Sequence, residues 1–215
     1  MSLTLSPLRA SLRVYYSPYS PYVRKVLVCA AELGMPVERL ASNANPVTRD
    51  ATVVARNPLG QVPTLLAGEQ EHEDEGALYD SRVICEYLDA PHGKLFPAAG
   101  EARWRALREQ ALADGLIGAA LLMRYEQVIR PEDLRYAPWF NGQHEKVVSA
   151  LDQFAAWVPE FGERVDIGTI TVACALGYLD LRFPDEGWRS RTALADWFAR
   201  FATRASMQAT RHPEA

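Results

Sequence analysis

The sequence predicts an α/β domain followed by an all-helical domain, and three observations carry that reading. Before residue 91, short strand-like runs take turns with runs of helical period. Residues 91–100, P-H-G-K-L-F-P-A-A-G, form a break rich in proline and glycine. Beyond that break every apolar pattern has helical spacing. The expected division is therefore an α/β domain over 11–90, a linker over 91–100 and a helical domain over 101–215.

Leu12, Val14 and Tyr16 alternate as in a strand over 12–16. A helix over 21–33 follows, with Val23, Val26, Leu27, Ala30 and Leu33 at helical spacing and Gly34 at its stop. Pro21 suits the first turn, which leaves Ser20 as N-cap among free N–H groups at the positive helix end, a setting for an anion. A short strand is expected near 37–40 and a short helix within the polar segment 43–56. Strands over 63–66 and 77–79 come next, then a helix over 81–89 with Val83, Ile84, Tyr87 and Leu88 facing inward.

Between the last two strands, G-E-Q-E-H-E-D-E-G over 68–76 reads as a hairpin loop whose acids face solvent; a metal site at His72 is the weaker alternative. In the second half, 101–130 carries Trp104, Leu107, Ala111, Leu112, Leu116 and Leu121. Residues 139–157 bring Val147, Leu151, Phe154 and Trp157. The stretch 169–183 is apolar enough for a bundle core, and 193–205 adds Leu194, Trp197, Phe198 and Phe201.

At 215 residues the chain can bury a sizeable core, and its net charge of −4 argues against a nucleic-acid binder. No apolar run reaches membrane-span length and the first eleven residues lack a secretory pattern, so a cytoplasmic protein is expected. Cys29, Cys85 and Cys174 match no zinc or redox-pair spacing and read as reduced, mostly buried thiols. A reactive Cys29 is the rival reading, weakened by its place late in the first helix.

Three motifs in order and in register carry a family resemblance: S-P-Y-V-R-K from Ser20, N-P-L-G-Q-V-P-T-L from Asn57 and Y-D-S-R-V-I-C-E-Y-L from Tyr79. Together they resemble the soluble glutathione transferases, over about Leu12 to Arg182. Later segments, A-L-A-D-G-L-I from Ala111 and A-C-A-L-G-Y-L-D-L-R from Ala173, look most like the bacterial YibF-like branch. The resemblance implies a thioredoxin-like first domain (βαβ-ββα), an all-α helical-bundle second domain, glutathione as co-substrate with no metal, and a homodimer.

It also implies roles for particular residues. Asp80 and Ser81 correspond to the pair that receives the γ-glutamyl end, although an ordinary helix cap would use the same residue types. Val62-Pro63 is similar to the family's cis-proline turn, in which Val62 offers its backbone to the cysteinyl part; a trans proline opening an edge strand is the alternative. Gln61, Arg49 and Arg56 are the options for the glycyl carboxylate.

Ser20 would donate to the sulfur, with Tyr16 next in order and Ser17 and Tyr19 as further options beside the repeated S-P-Y. Moving a thiol pKa from about 8.5 to ~6.5 takes roughly 2.7 kcal/mol. A hydrogen bond to a charged acceptor gives ~1.5–3 kcal/mol and a helix N-terminus ~0.3–1, so the two suffice. The electrophile pocket is expected between the domains, at Tyr19, Leu59, Met123, Arg124 and Tyr125.

One departure concerns the cap of the core helix. Where the family has Ser/Thr-x-x-Asp, the sequence reads Thr169-Ile170-Thr171-Val172, which predicts a cap weakened by about 1 kcal/mol. The leading expectation is a glutathione transferase acting on a small hydrophobic electrophile. A non-catalytic glutathione-binding or regulatory protein on the same fold is the alternative, and a thiol–disulfide reductase is disfavoured because no cysteine stands near Ser20.

Overall fold

The computed structural model describes residues 12–67 and 77–213, and divides the chain into one compact unit up to Leu88 and another from Asp89. The acidic segment 68–76 lies outside the described residues.

The first unit follows β1 (Leu12–Tyr16), α1 (Pro21–Glu32), β2 (Val37–Ala41), α2 (Ala51–Val54), β3 (Thr64–Ala67), β4 (Ala77–Leu78) and α3 (Ser81–Asp89). The four strands lie in the order β2-β1-β3-β4. β1 runs parallel to β2, with Leu12 opposite Val37, and antiparallel to β3, with Tyr15 opposite Thr64. β3 and β4 form the antiparallel edge. This is the thioredoxin-like arrangement. Its core joins Leu12 and Val14 of β1, Leu65 and Leu66 of β3, and Val23, Val26 and Leu27 of α1.

The inward face of α3 departs from expectation. Ser81, Ile84, Cys85 and Leu88 are buried, at the spacing of one helical stripe, whereas Val83 is 49% exposed and Tyr87 half-buried. Val83 and Tyr87 sit one position off the stripe, a rotation of about 100°.

The second unit is helical: α4 (Gly100–Val128), α5 (Ala137–Phe161), α6 (Ile167–Arg182), α7 (Thr192–Phe201) and α8 (Ala205–Ala209). α4 packs against both α5 and α6, and α5 against α7. Among the described residues no helix is long and apolar enough to cross a membrane. The stretch expected as one helix over 193–205 is two, because the chain turns at Ala202–Arg204. There the Thr203 hydroxyl donates to the Arg200 carbonyl at 2.7 Å, and the Gln208 side chain to that of Ala202 at 2.5 Å.

Residues 91–100 are held to this unit. The buried Asp89 carboxylate accepts the N–H groups of Lys94, Leu95 and Phe96 at 2.9, 2.9 and 2.8 Å, and the Leu95 carbonyl accepts Ile167 N–H.

α4 buries a different face from the one its large apolar residues suggested. Its inward stripe is Ala106, Glu109, Gln110, Ala113, Leu116, Ile117, Ala120 and Met123. Trp104 is 69% exposed, and of the other expected positions only Leu116 is buried. α6 comes close at one end of this stripe: a Cβ on Gly168 would stand 2.9 Å from the Ala106 carbonyl and 2.5 Å from a Glu109 oxygen.

The cap of α6 corrects the sequence expectation. The helix starts at Ile167, and Asp166 is its N-cap. The Asp166 carboxylate accepts Thr169 N–H at 3.0 Å while the Thr169 hydroxyl accepts Asp166 N–H at 3.1 Å. The capping box is intact with its two residue types exchanged, so no weakening follows. Arg164 ties it to α4, donating to Asp166 and to both oxygens of Glu109 at 2.8 and 3.0 Å.

Candidate functional site

Ser20 stands between β1 and α1 in extended conformation, with Pro21 in the first helical position. Its Oγ accepts Val23 N–H at 3.2 Å, its carbonyl accepts Arg24 N–H, and its own N–H donates to the Ser17 carbonyl. With Oγ serving the helix as acceptor, the hydroxyl proton is the group left to meet a ligand. Ser20 and Ser17 are half-buried, and Tyr19 is 43% exposed. Tyr16, the phenolic alternative, has the Arg39 guanidinium over its ring at 5.3 Å.

The second part is the turn from Asn57 to Thr64. The buried Asn57 side chain accepts Leu59 N–H at 3.0 Å and donates to the Gln61 carbonyl at 3.2 Å and to Thr64 Oγ1 at 3.0 Å. Thr64 Oγ1 donates in turn to the Gln61 carbonyl at 2.8 Å. Gly60 adopts φ +63°, and a Cβ there would press on Val54 at 3.0 Å and on Arg49 at 3.3 Å. The Val62–Pro63 bond is cis, and Pro63 is buried while Gln61 is exposed. Neither the N–H nor the C=O of Val62 is hydrogen-bonded among the described residues.

Asn57 is the residue that sequence reasoning passed over as a contributor. Its signal was present, since an Asn before Pro-x-Gly favours a side-chain-capped turn.

The three options for a glycyl carboxylate differ in placement. Arg49 is exposed and donates to the Pro58 carbonyl, which lays it along the turn. Gln61 belongs to the turn itself, and Arg56 is half-buried after α2. The loop that carries Arg49 is closed by Asp50, which accepts from Thr52 and from Asn43 N–H. Those bonds, the Thr52 hydroxyl first, hold its carboxyl down at about 2.

The third part opens α3. Asp80 follows a cis Tyr79–Asp80 bond; its Oδ1 accepts Arg82 N–H at 2.8 Å and its carbonyl accepts Ile84 N–H. Asp80 is thus a working helix cap, and it is exposed, whereas Ser81 is buried at 3% exposure. Ser20, Val62, Asp80 and Ser81 all belong to the first unit.

The residues expected for an electrophile are divided between the units. Leu59, at 62% exposure, joins Tyr19 on the first. On the second, Met123 is buried at 2% in the inward stripe of α4, and Arg124 and Tyr125 are half-buried, with burial pushing the Tyr125 phenol up. Among the described residues no group of His, Cys, Asp or Glu is arranged to hold a metal ion.

Comparison with known proteins agrees with this architecture. The family model for "Glutathione S-transferase, N-terminal domain" matches residues 19–90, and that for "Glutathione S-transferase, C-terminal domain" matches 137–200. The chain belongs to the glutathione S-transferase family. It is 32% identical over 204 residues to the GST-like protein YibF of Escherichia coli K12, covering 91% of this chain and 96% of that one. A glutathione transferase family member from Pseudomonas fluorescens Pf-5, solved with bound glutathione, is 44% identical with a TM-score of 0.89, covering 94% of this chain and all of its own. A glutathione S-transferase from Methylobacillus flagellatus KT, also solved with glutathione, is 34% identical with a TM-score of 0.84 over 94% of this chain and 100% of its own.

Proposed function

We propose that this protein is a cytoplasmic glutathione transferase that ionises the glutathione thiol at Ser20 and directs it at a small hydrophobic electrophile. The observation that carries the reading is the Ser20 cap. Its oxygen accepts from Val23 N–H, so its proton is available to a sulfur anion at the positive end of α1. Val62 would bind the cysteinyl backbone as an added strand does, through the N–H and C=O left unengaged by the Asn57-braced turn. Asp80 would pair with the γ-glutamyl ammonium, and Ser81 with the N–H groups opening α3 would receive its carboxylate. Arg49 and Gln61 are the groups for the glycyl carboxylate that the turn keeps near Val62.

In the reaction, the thiol proton leaves to solvent and the sulfur lone pair forms a bond to an electrophilic carbon. The displaced electron pair departs with a leaving group or is protonated. Serine, a very weak acid, stays protonated throughout and serves as donor. The test is ultraviolet thiolate absorbance of bound glutathione against pH. Ser20→Ala is expected to raise the bound thiol pKa by about 1–2 units, the equivalent of one charged hydrogen bond. An unchanged pKa in the variant would remove Ser20 from this role.

We further propose a homodimer. Support comes from α4, where Trp104, Ala111, Gly115 and Leu122 are exposed along one face, spaced by seven, four and seven residues. Trp104→Glu is expected to halve the mass measured by light scattering; a monomeric parent would end the proposal.

A further inference from the structure

Where α6 lies along α4, two phenols and two guanidiniums gather: Arg124 and Tyr125 near the end of α4, Tyr178 and Arg182 near the end of α6. All four belong to the unit that begins at Asp89. Tyr178 and Arg182 are four residues apart, on one face of their helix. The charges of Arg182 and Arg124 and the neighbouring Tyr125 all act on the Tyr178 phenol. Burial, then Tyr125, pushes that phenol up to about 12 against the pull of the two arginines. Burial pushes Tyr125 the same way, so at neutral pH both hydroxyls keep their protons and are donors.

These donors have no acceptor. Tyr178 is 2% exposed and Tyr125 and Arg124 are half-buried, yet among the described residues neither hydroxyl nor the Arg124 guanidinium has a hydrogen-bond or ion-pair partner. Neither hydroxyl is among the enclosed polar atoms that lack a partner, so both oxygens reach the surface. The Tyr178 ring is core, and its oxygen is the part a ligand can meet. The acids beside them point away. Glu126 and Asp180 stand two residues from Arg124 and Tyr178, about 200° around their helices. Glu126 accepts Arg130 Nε and Tyr136 N–H, both at 2.7 Å, and Asp180 accepts Trp188 Nε1 at 2.9 Å and Arg189 at 2.7 Å.

A half-buried guanidinium without a counter-ion, beside two protonated phenols, selects an acceptor-only group of negative charge. The guanidinium fork matches the two oxygens of a carboxylate, and each phenol can donate to a remaining lone pair. We propose that Arg124, Tyr125 and Tyr178 hold the carboxylate of the electrophile, so that the co-substrate of glutathione is a small organic anion. This rests on the transferase reading above and adds a charge to the hydrophobic electrophile named there. With a chloronitrobenzoate, the glutathione sulfur bonds to the ring carbon that bears chlorine, chloride leaves with its electron pair, and the thiol proton passes to solvent.

The test has two arms, each run on the full chain. In the first, ligand-observed NMR follows 3-nitrobenzoate, which has no leaving group, without glutathione. Arg124→Gln is expected to weaken its binding about tenfold, the scale of one charged hydrogen bond, and Tyr178→Phe, which removes only the hydroxyl, by a similar factor. Both variants should melt with the parent, because neither removes a hydrogen bond within the protein. In the second arm, kcat/KM with glutathione is compared for 4-chloro-3-nitrobenzoate and the neutral 4-chloro-3-nitrobenzamide, each divided by its uncatalysed rate. The parent should favour the anion about tenfold, and Arg124→Gln should bring the ratio toward one. Failure of 3-nitrobenzoate to bind, equal affinity in both variants, or an equal ratio in parent and Arg124→Gln would overturn the proposal while glutathione still bound. A parent that does not bind glutathione by calorimetry would instead overturn the transferase reading, and the electrophile with it.

Discussion

The two units differ in how far their polar groups reach along the chain. In the first, the turns and helix starts proposed for glutathione are set by neighbouring side chains within a few residues. Asn57 braces the turn before Val62, Ser20 and Asp80 cap α1 and α3, and Asp50 closes the loop beside Arg49. In the second, beside local caps at Asp89 and Asp166, a buried polar interaction joins distant parts of the chain. Arg164 reaches Glu109, fifty-five residues away, and Glu109 is fully buried. A local arrangement of the first kind leaves a sequence motif, whereas a distant one of the second kind leaves none.

The comparison can be broken at its most costly point by Arg164→Ala. That change strands the Glu109 carboxylate, whose pKa burial already pushes up against the pull of Arg164. Removing one partner of a buried pair costs about 3–5 kcal/mol. Thermal or denaturant unfolding should show a loss of that order, and a loss under about 1 kcal/mol would mean that the pair is solvent-screened.

A smaller effect is expected in the first unit, and on a different quantity. Asn57→Ala removes the donor that shares the Gln61 carbonyl and Thr64 Oγ1, with a stability cost of about 1–3 kcal/mol for the groups left unpaired. The sharper readout is glutathione affinity by calorimetry, expected to fall about tenfold because the Val62 edge is no longer held. Stability lost with affinity intact would show that Asn57 serves only the fold.

The smallest effect is a pH dependence at Asp50. Its folded pKa is depressed to about 2, first by the Thr52 hydroxyl and then by Asn43 N–H. Its contribution is therefore complete above the ordinary carboxylate value of 3.8 and is lost as the pH falls through about 2. Carboxyl NMR should find Asp50 titrating below its neighbours, and Thr52→Ala should bring it back toward the ordinary range.

The α6 cap illustrates how far the sequence could be read. Asp166 and Thr169 form a box that three-residue spacing announces, yet the family order of residue types led to Thr169 and Val172 instead. Either order satisfies the same two N–H groups, so chemistry permits the exchange that a motif does not anticipate. α4 shows a second limit. Its large apolar residues suggested one face, and the helix buries another that mixes Ala106, Ala113 and Ala120 with Leu116, Ile117 and Met123, with α6 packed closely at Ala106 and Glu109. Hydrophobicity marks what can be buried, while the distance between helices decides what is.

By itself, then, the sequence determined the fold class, an α/β half followed by a helical half, and the family, and it nominated residues for glutathione that remain a proposal. Those depend on short-range periodicity, caps and turns, which are written in neighbouring residues. Only the tertiary structure decided which stripe of α3 and α4 faces inward, that Val62–Pro63 is cis, that Asn57 braces its turn, and that Arg164 neutralises Glu109. Each of those is settled by what the rest of the chain brings alongside, and packing between distant segments has no local signature.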